Sequence, residues 1–259
     1  MKEFRFTTSG TPTISLRLPS GRVRVLHGDP RELVIQLDGR SSTVDRFIVE
    51  DRGGEIVIEP ERSSKGRWAS VEVTIWVGEP IHFRGRIVAA DFTSAVDLAS
   101  VHVESASGDI GVDEVAGDAT VRAASGDIRA GTVGGDLDVA AASGDVRVGH
   151  VKGSTSVKTA SGDVKVGSAD GEFTAKSASG SIFVTRFDGP SFDAKSLSGD
   201  VSLGVPPGRR FDVTFHTLSG EVRTDFPVDQ GDQGGGAAPA RLAIRTISGD
   251  ITVQGAPAR

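Results

Sequence analysis

Cysteine, tyrosine and asparagine are all missing from the 259 residues. No cysteine means no disulfide, no thiolate metal centre and no thiol nucleophile. No asparagine means no N-glycosylation acceptor, and it leaves tight turns to glycine and aspartate. Aromatic side chains are scarce at 5% of the chain, so a groove of stacked rings for a carbohydrate has little to be built from. No apolar run reaches the 18 or so residues of a membrane-spanning helix, and the opening residues hold no unbroken apolar stretch of signal-peptide length. The composition therefore points to a soluble, cytoplasmic protein. A basic surplus is missing too. With 29 Lys and Arg against 35 Asp and Glu the net charge is -6, which speaks against nucleic acid as a partner.

What is abundant is glycine, 34 residues, and its placing is periodic. Ser107-Gly108-Asp109 recurs as Ser125-Gly126-Asp127, Ser143-Gly144-Asp145, Ser161-Gly162-Asp163, Ser179-Gly180-Ser181 and Ser198-Gly199-Asp200, at a spacing of 18 residues and finally 19. Looser copies follow at Ser219-Gly220-Glu221 and Ser248-Gly249-Asp250. Such a fixed period marks a stacked-repeat architecture. Directly after the triplets stand Ile110, Ile128, Val146, Val164, Ile182 and Val201, and two residues on come Val112, Ala130, Val148, Val166, Val184 and Leu203. The residues between them are mostly polar, so each segment alternates with the period of a half-buried strand.

A second glycine column, Gly117, Gly135, Gly153, Gly171 and Gly189, precedes a second alternating segment with Val121, Val139, Val157, Ala175 and Ala194 in its inward slots. Each repeat is thus expected to hold two short strands and two glycine corners turned through positive φ. One such unit buries too few side chains to offset the backbone entropy of ordering it, and stacking supplies the rest. The expected fold is all-β: a single-stranded parallel β-solenoid (β-helix) of about seven to eight 18-residue coils, with strands about 4.8 Å apart.

Residues 1 to about 70 lack the triplet but keep short alternating runs, such as Ile14 to Leu18 and Leu33 to Leu37, separated by turn signals. They are expected to form an antiparallel β cap over the first edge of a solenoid domain spanning 71–259. Val71 to Val77 is the expected joining strand. A glycine-rich insertion at about 227–240 is expected to be a flexible loop. In this order the last coil holds Ile251 and Val253, followed by a thin tail over an exposed edge.

Two surface features could carry function. Asp109, Asp127, Asp145 and Asp163 fall in one column, and neighbouring carboxylates about 5 Å apart repel by roughly 3 kcal/mol at an effective dielectric of 20. Either each accepts hydrogen bonds from turn amides in a wet corner, or cations bridge them as a metal ladder; the first is the preferred reading. Beside it run basic columns, Arg129, Arg147 and Lys165, and Arg122, Lys158, Lys176 and Lys195, which form a candidate partner-binding face. The five histidines occupy unrelated slots, with no pair at metal-ligand spacing and no Ser/His/Asp context. The glycine run near Gly234 lacks the Lys-Ser/Thr ending of a phosphate loop. No cofactor and no catalytic residue is expected.

The recurring Ser-Gly-Asp-[Ile/Val]-x-[Val/Ala] units, ending in Thr217-Leu218-Ser219-Gly220-Glu221-Val222 and Thr246-Ile247-Ser248-Gly249-Asp250-Ile251, resemble the bacterial "putative adhesin" β-strand-repeat family of unknown function. The stretch from Phe4 to Val25 is similar to leaderless actinobacterial members. The resemblance implies a β-solenoid and supplies no catalytic residues. The functional expectation is a non-enzymatic structural or interaction protein presenting flat faces to another protein. The alternatives are a self-assembling scaffold or filament resembling bactofilins and, with least support, a polysaccharide-active β-helix enzyme.

Overall fold

A computed structural model describes residues 1–7, 10–61, 69–225 and 239–257. The chain divides into two units, Met1–Gly134 and Gly135–Arg259. The first comprises β1 (Lys2–Thr7), β2 (Thr13–His27), β3 (Glu32–Gly39), a single helical turn α1 (Ser41–Val44), β4 (Phe47–Asp51), β5 (Glu55–Pro60), β6 (Val71–Val77), β7 (Ile81–Ser94), β8 (Leu98–Ser107), β9 (Ile110–Val115), β10 (Ala119–Ser125) and β11 (Ile128–Val133). The second comprises β12 (Leu137–Ser143), β13 (Val146–Val151), β14 (Thr155–Ser161), β15 (Val164–Ala169), β16 (Phe173–Ser179), β17 (Ile182–Phe187), β18 (Ser191–Ser198), β19 (Val201–Val205), β20 (Phe211–Ser219), β21 (Val222–Thr224), β22 (Ala240–Ser248) and β23 (Ile251–Gly255).

The protein is a parallel β-solenoid, and the repeat columns are its interior files. In the first unit Phe92, Ile110 and Ile128 lie in register, all at most 2% exposed. In the second, Val146, Val164, Ile182, Val201 and Ile251 do the same, each fully buried. The companion file Val139, Val157, Ala175, Ala194 and Ile244 is equally sealed. Within each unit the inner strands pair with a coil above and a coil below, which satisfies their backbone polar groups while one face buries its β-branched side chains.

The repeat reaches further toward the N-terminus than the triplets indicate. β1 and β3 are antiparallel, as are β3 with β6 and β4 with β5, but β2 pairs only in parallel, with β5, β6 and β7. Its Ser20-Gly21-Arg22-Val23 is a corner of the repeat: Gly21 sits opposite Ala90 and Val23 opposite Phe92, so Val23 belongs to the interior file. Arg22 replaces the usual Asp and reaches Asp91 at 3.8 Å, which preserves the corner and hides the motif. β6 joins the antiparallel strands to this first coil by pairing with β3 on one side and β2 on the other.

The two glycine columns differ. Those of the Ser-Gly-Asp corners have φ between +114° and +157°, whereas the second column, expected to turn the same way, has none in that region. Its glycines answer to space instead. A Cβ on Gly171 would stand 2.3 Å from the Gly153 carbonyl oxygen of the preceding coil.

The coils are also out of chain order at the C-terminal end. β22 pairs with β18 on one side and β20 on the other, and β23 likewise lies between β19 and β21. The last strands in sequence are therefore interior: Ile251 is fully buried and Val253 is 3% exposed. The exposed edge expected at Ile251 and Val253 belongs to β20 and β21. The glycine-rich stretch around Gly234, expected to be a flexible loop, lies outside the described residues, as does Trp68.

Candidate functional site

The aspartate column builds a ladder of backbone bonds between coils rather than within turns. The Asp109 carboxylate accepts the Asp127 N–H at 2.9 Å, Asp145 accepts that of Asp163 at 3.0 Å, and Asp163 accepts that of Ser181 at 3.0 Å. Ser181 continues it, its hydroxyl oxygen accepting the Asp200 N–H at 3.2 Å. The second oxygens face the basic column: Arg129 meets Asp127 at 2.7 Å and Asp109 at 3.9 Å, Arg147 meets Asp145 at 2.6 Å and Lys165 meets Asp163 at 3.4 Å. Both oxygens are thus engaged, and the first basic column is spent on neutralising the acidic one. Among the described residues no cluster of three or more His, Asp or Glu is arranged to hold a metal ion.

Two expected results follow from this geometry. Asp163→Ala leaves the Ser181 amide without its acceptor and should cost about 1–2 kcal/mol in a denaturant titration. Calcium should leave the thermal midpoint of the native protein where it was. An upward shift would reveal cation bridging, since a ligand bound only by the folded state raises the midpoint.

The second basic column behaves differently. Lys158, Lys176 and Lys195 occupy successive rungs in register, and the column continues through Arg245 to His216 because β22 intervenes before β20. Lys195 pairs with Asp193 at 3.2 Å. Among the described residues Lys158, Lys176, Arg245 and His216 pair with no carboxylate. Arg122 holds the equivalent slot in the first unit. Arg245 and His216 were not expected in this column, since their place in it depends on the swapped coil order.

Two residues further along each strand is a column that sequence reasoning missed. It runs Ala142, Ala160, Ala178, then Leu197, Ile247 and Leu218, all facing outward beside the Ser-Gly corners. Leu197, Ile247 and Leu218 are 55%, 48% and 72% exposed. The signal was present: from Lys158 on, each copy reads cation or His, then Ser or Thr, then an apolar residue, then Ser-Gly. On the other side of this stripe lie Asp200, Asp250 and Glu221, whose amides and carboxylates extend the acidic ladder.

The first unit holds an open cleft of about 290 Å³ lined by Ser15, Arg17, Arg52, Glu55, Glu59, Arg84, Arg86, His102 and Glu104. Its charges are largely paired with one another. Arg86 Nε donates to Glu104 at 2.9 Å, Arg17 and Arg52 reach Glu59 at 3.5 and 3.3 Å, and the Ser15 hydroxyl donates to Glu55. The Arg86 guanidinium holds the Glu104 carboxyl below its ordinary range, which suits an ion pair and not a general acid. Ser15 and His102 line the same cleft but are two rungs apart, with Arg84 between them, roughly 9–10 Å at strand spacing. A serine nucleophile and its base must be in hydrogen-bond contact, and these are not. Elsewhere His82 Nδ1 meets the Ser100 hydroxyl at 2.7 Å and His150 Nε2 meets Asp170 at 2.9 Å.

The repeat, its solenoid and its corners coincide with a known family. A family model described as Toastrack DUF4097 matches residues 13–254. The chain belongs to that family. Among solved structures, one from Parabacteroides distasonis named as a lipid binding protein is similar at 16% identity, covering 97% of this chain and 96% of its own, with a TM-score of 0.50. A "putative adhesin" from Parabacteroides merdae is similar at 11% identity over 99% and 96% of the two chains, with a TM-score of 0.44. Another from Bacteroides fragilis shares 12% identity over 98% and 96%, with a TM-score of 0.37. No curated protein matches. The likeness to the first of these structures is one of fold alone. Among the described residues no helix is long and apolar enough to cross a membrane.

Proposed function

We propose that this Toastrack protein is a non-enzymatic, adhesin-like interaction protein, and that the second unit binds a partner protein through the stripe Leu197, Ile247 and Leu218 and the cations beside it. The observation that carries the reading is the stacking of three large apolar side chains on consecutive rungs, each about half exposed or more. Single exposed leucines are ordinary, but a contiguous apolar patch rimmed by charge marks a binding surface. The two rims carry opposite signs, with Lys158, Lys176 and Arg245 on one side and Asp200, Asp250 and Glu221 on the other. A uniformly anionic membrane would be repelled by the second rim. A protein can present both signs, and such complementarity governs encounter and register.

The coils make a stiff support for such a surface, because outward residues can vary without disturbing the interior files. The test is site-specific photo-crosslinking in the native cell. A photoreactive residue at Leu197 or Ile247 should give a discrete protein adduct that weakens when Lys158, Lys176 and Lys195 are replaced by Glu. A photoreactive residue at Phe183, on the other face of the coil, should give none. Equal labelling from Phe183, or none from the stripe, would sink the reading.

A further inference from the structure

The second unit ends in an open coil. β20 pairs with β22 along one edge, and no described strand pairs along the other. In the coils beneath, the inward Phe192, Ala194, Leu242 and Ile244 are at most 1% exposed. On β20 the same slots hold Phe211, Val213, Phe215 and Thr217, all half-buried, and Val222 on β21 is 44% exposed. Among the described residues, no strand covers this cross-section of the core or the 9-residue strand edge beside it. Natural proteins rarely leave such an edge unprotected, because its free N–H and C=O groups template further pairing.

The direction of those free groups follows from one bond. The Arg210 carbonyl accepts the Ala240 N–H at 3.1 Å, so the alternation along a strand turns the backbone of Asp212, Thr214 and His216 toward β22. It turns that of Phe211, Val213 and Phe215 to the open side.

We propose that this edge binds a second copy of the chain, β20 against β20, antiparallel about a two-fold axis through Thr214. In that register Val213 exchanges both backbone hydrogen bonds with the partner's Phe215, and the inward apolar side chains of the two open coils close over each other. On the outward face each Asp212 stands opposite the partner's His216. Shifting the axis by one residue sets Asp212 against Thr214 or Leu218 instead, so the charges select the register. The second copy is the natural occupant because the edge is complementary to itself: apolar slots meet apolar slots, and acid meets base twice. A two-fold contact joins like ends and closes at two copies, which distinguishes this assembly from a filament. It shares β20, with His216 and Leu218, with the stripe proposed above, and leaves that stripe open at Leu197 and Lys176.

The test is sedimentation equilibrium of the full chain from micromolar to millimolar concentration. A monomer–dimer equilibrium is expected. Val213→Pro removes an N–H that the fold itself does not use, and should give a folded monomer by circular dichroism. His216→Asp sets carboxylate against carboxylate twice and should raise the dissociation constant on the order of tenfold. Adding Asp212→His in the same chain restores acid opposite base and should recover the original value. A strict monomer at millimolar concentration overturns the inference, as does a dimer indifferent to Val213→Pro. So does a charge swap that fails to recover what His216→Asp lost.

Discussion

Gly162→Ala is expected to lower the thermal midpoint by about 10 °C, while Gly53→Ala lowers it by only a few degrees. Both glycines have positive φ, +116° and +75°, so both substitutions place an L side chain in a disfavoured region. That strain costs about 1–2 kcal/mol on its own. The difference lies in what the new methyl group meets. At Gly53 nothing lies within 4 Å, whereas at Gly162 the Cβ would stand 2.2 Å from the Gly144 carbonyl oxygen of the coil below. That oxygen is backbone at the same corner, and the corner also carries the bond from the Asp163 N–H to the Asp145 carboxylate. Relief of the clash therefore requires two coils to separate at a rung of their ladder. Together, strain and clash are expected to cost about 3–4 kcal/mol. Comparable midpoint shifts for the two variants would show that coil spacing does not constrain the corner, contrary to the fold described here.

The same geometry explains what could be read from the amino-acid sequence. Interior files were legible because identical slots recur at a fixed interval and stacking places like on like, as Val146, Val164 and Ile182 show. Ser20-Gly21-Arg22 was missed because the acidic member of the triplet is replaced by Arg22. The file depends on Val23 and Val25, and it tolerates that exchange. The second glycine column was recognised but its reason was not, since close approach and positive φ leave the same residue in the sequence.

Coil order was beyond any periodic argument. Ser219-Gly220-Glu221 and Ser248-Gly249-Asp250 both carry the corner, and a fixed period does not say which of them stacks on Asp200. The structure seats Leu242 opposite Phe192 and Ile244 opposite Ala194, and leaves the bulkier Phe211 and Phe215 to the open coil. Everything about the candidate surface follows from that exchange. It brings Arg245 and Ile247 between Lys195 and His216 and between Leu197 and Leu218. It also leaves the free edge at β20. The charged columns were read together as one candidate partner-binding face, and only coordinates reveal that Arg129, Arg147 and Lys165 are held by the acidic ladder while Lys158 and Lys176 are not.

Phe192→Ala should be the most damaging single truncation in the second unit, with a loss of about 3–5 kcal/mol. The ring is fully buried. It stacks on Phe173 with centroids 4.7 Å apart and planes 6° from parallel, and it meets the edge of Phe187 at 5.2 Å and 64°. Phe173 lies one rung below in register, so the pair bridges two coils. Leu242 lies one rung above. Truncation removes the ring's transfer energy and leaves a void that three neighbours cannot all move to fill, because each is fixed to its own coil by strand pairing on both sides. The cost should therefore fall near the top of the range. Phe192→Leu keeps most of the volume and should lose less than half as much. The comparison residue is Phe183, on the outward face with Lys165 Nζ 5.5 Å from its ring. Phe183→Ala forfeits only that exposed contact and should cost under about 1 kcal/mol. Urea titrations of the three variants check the ordering. If Phe192→Ala proves no worse than Phe183→Ala, then the aromatic stack does not tie one coil to the next.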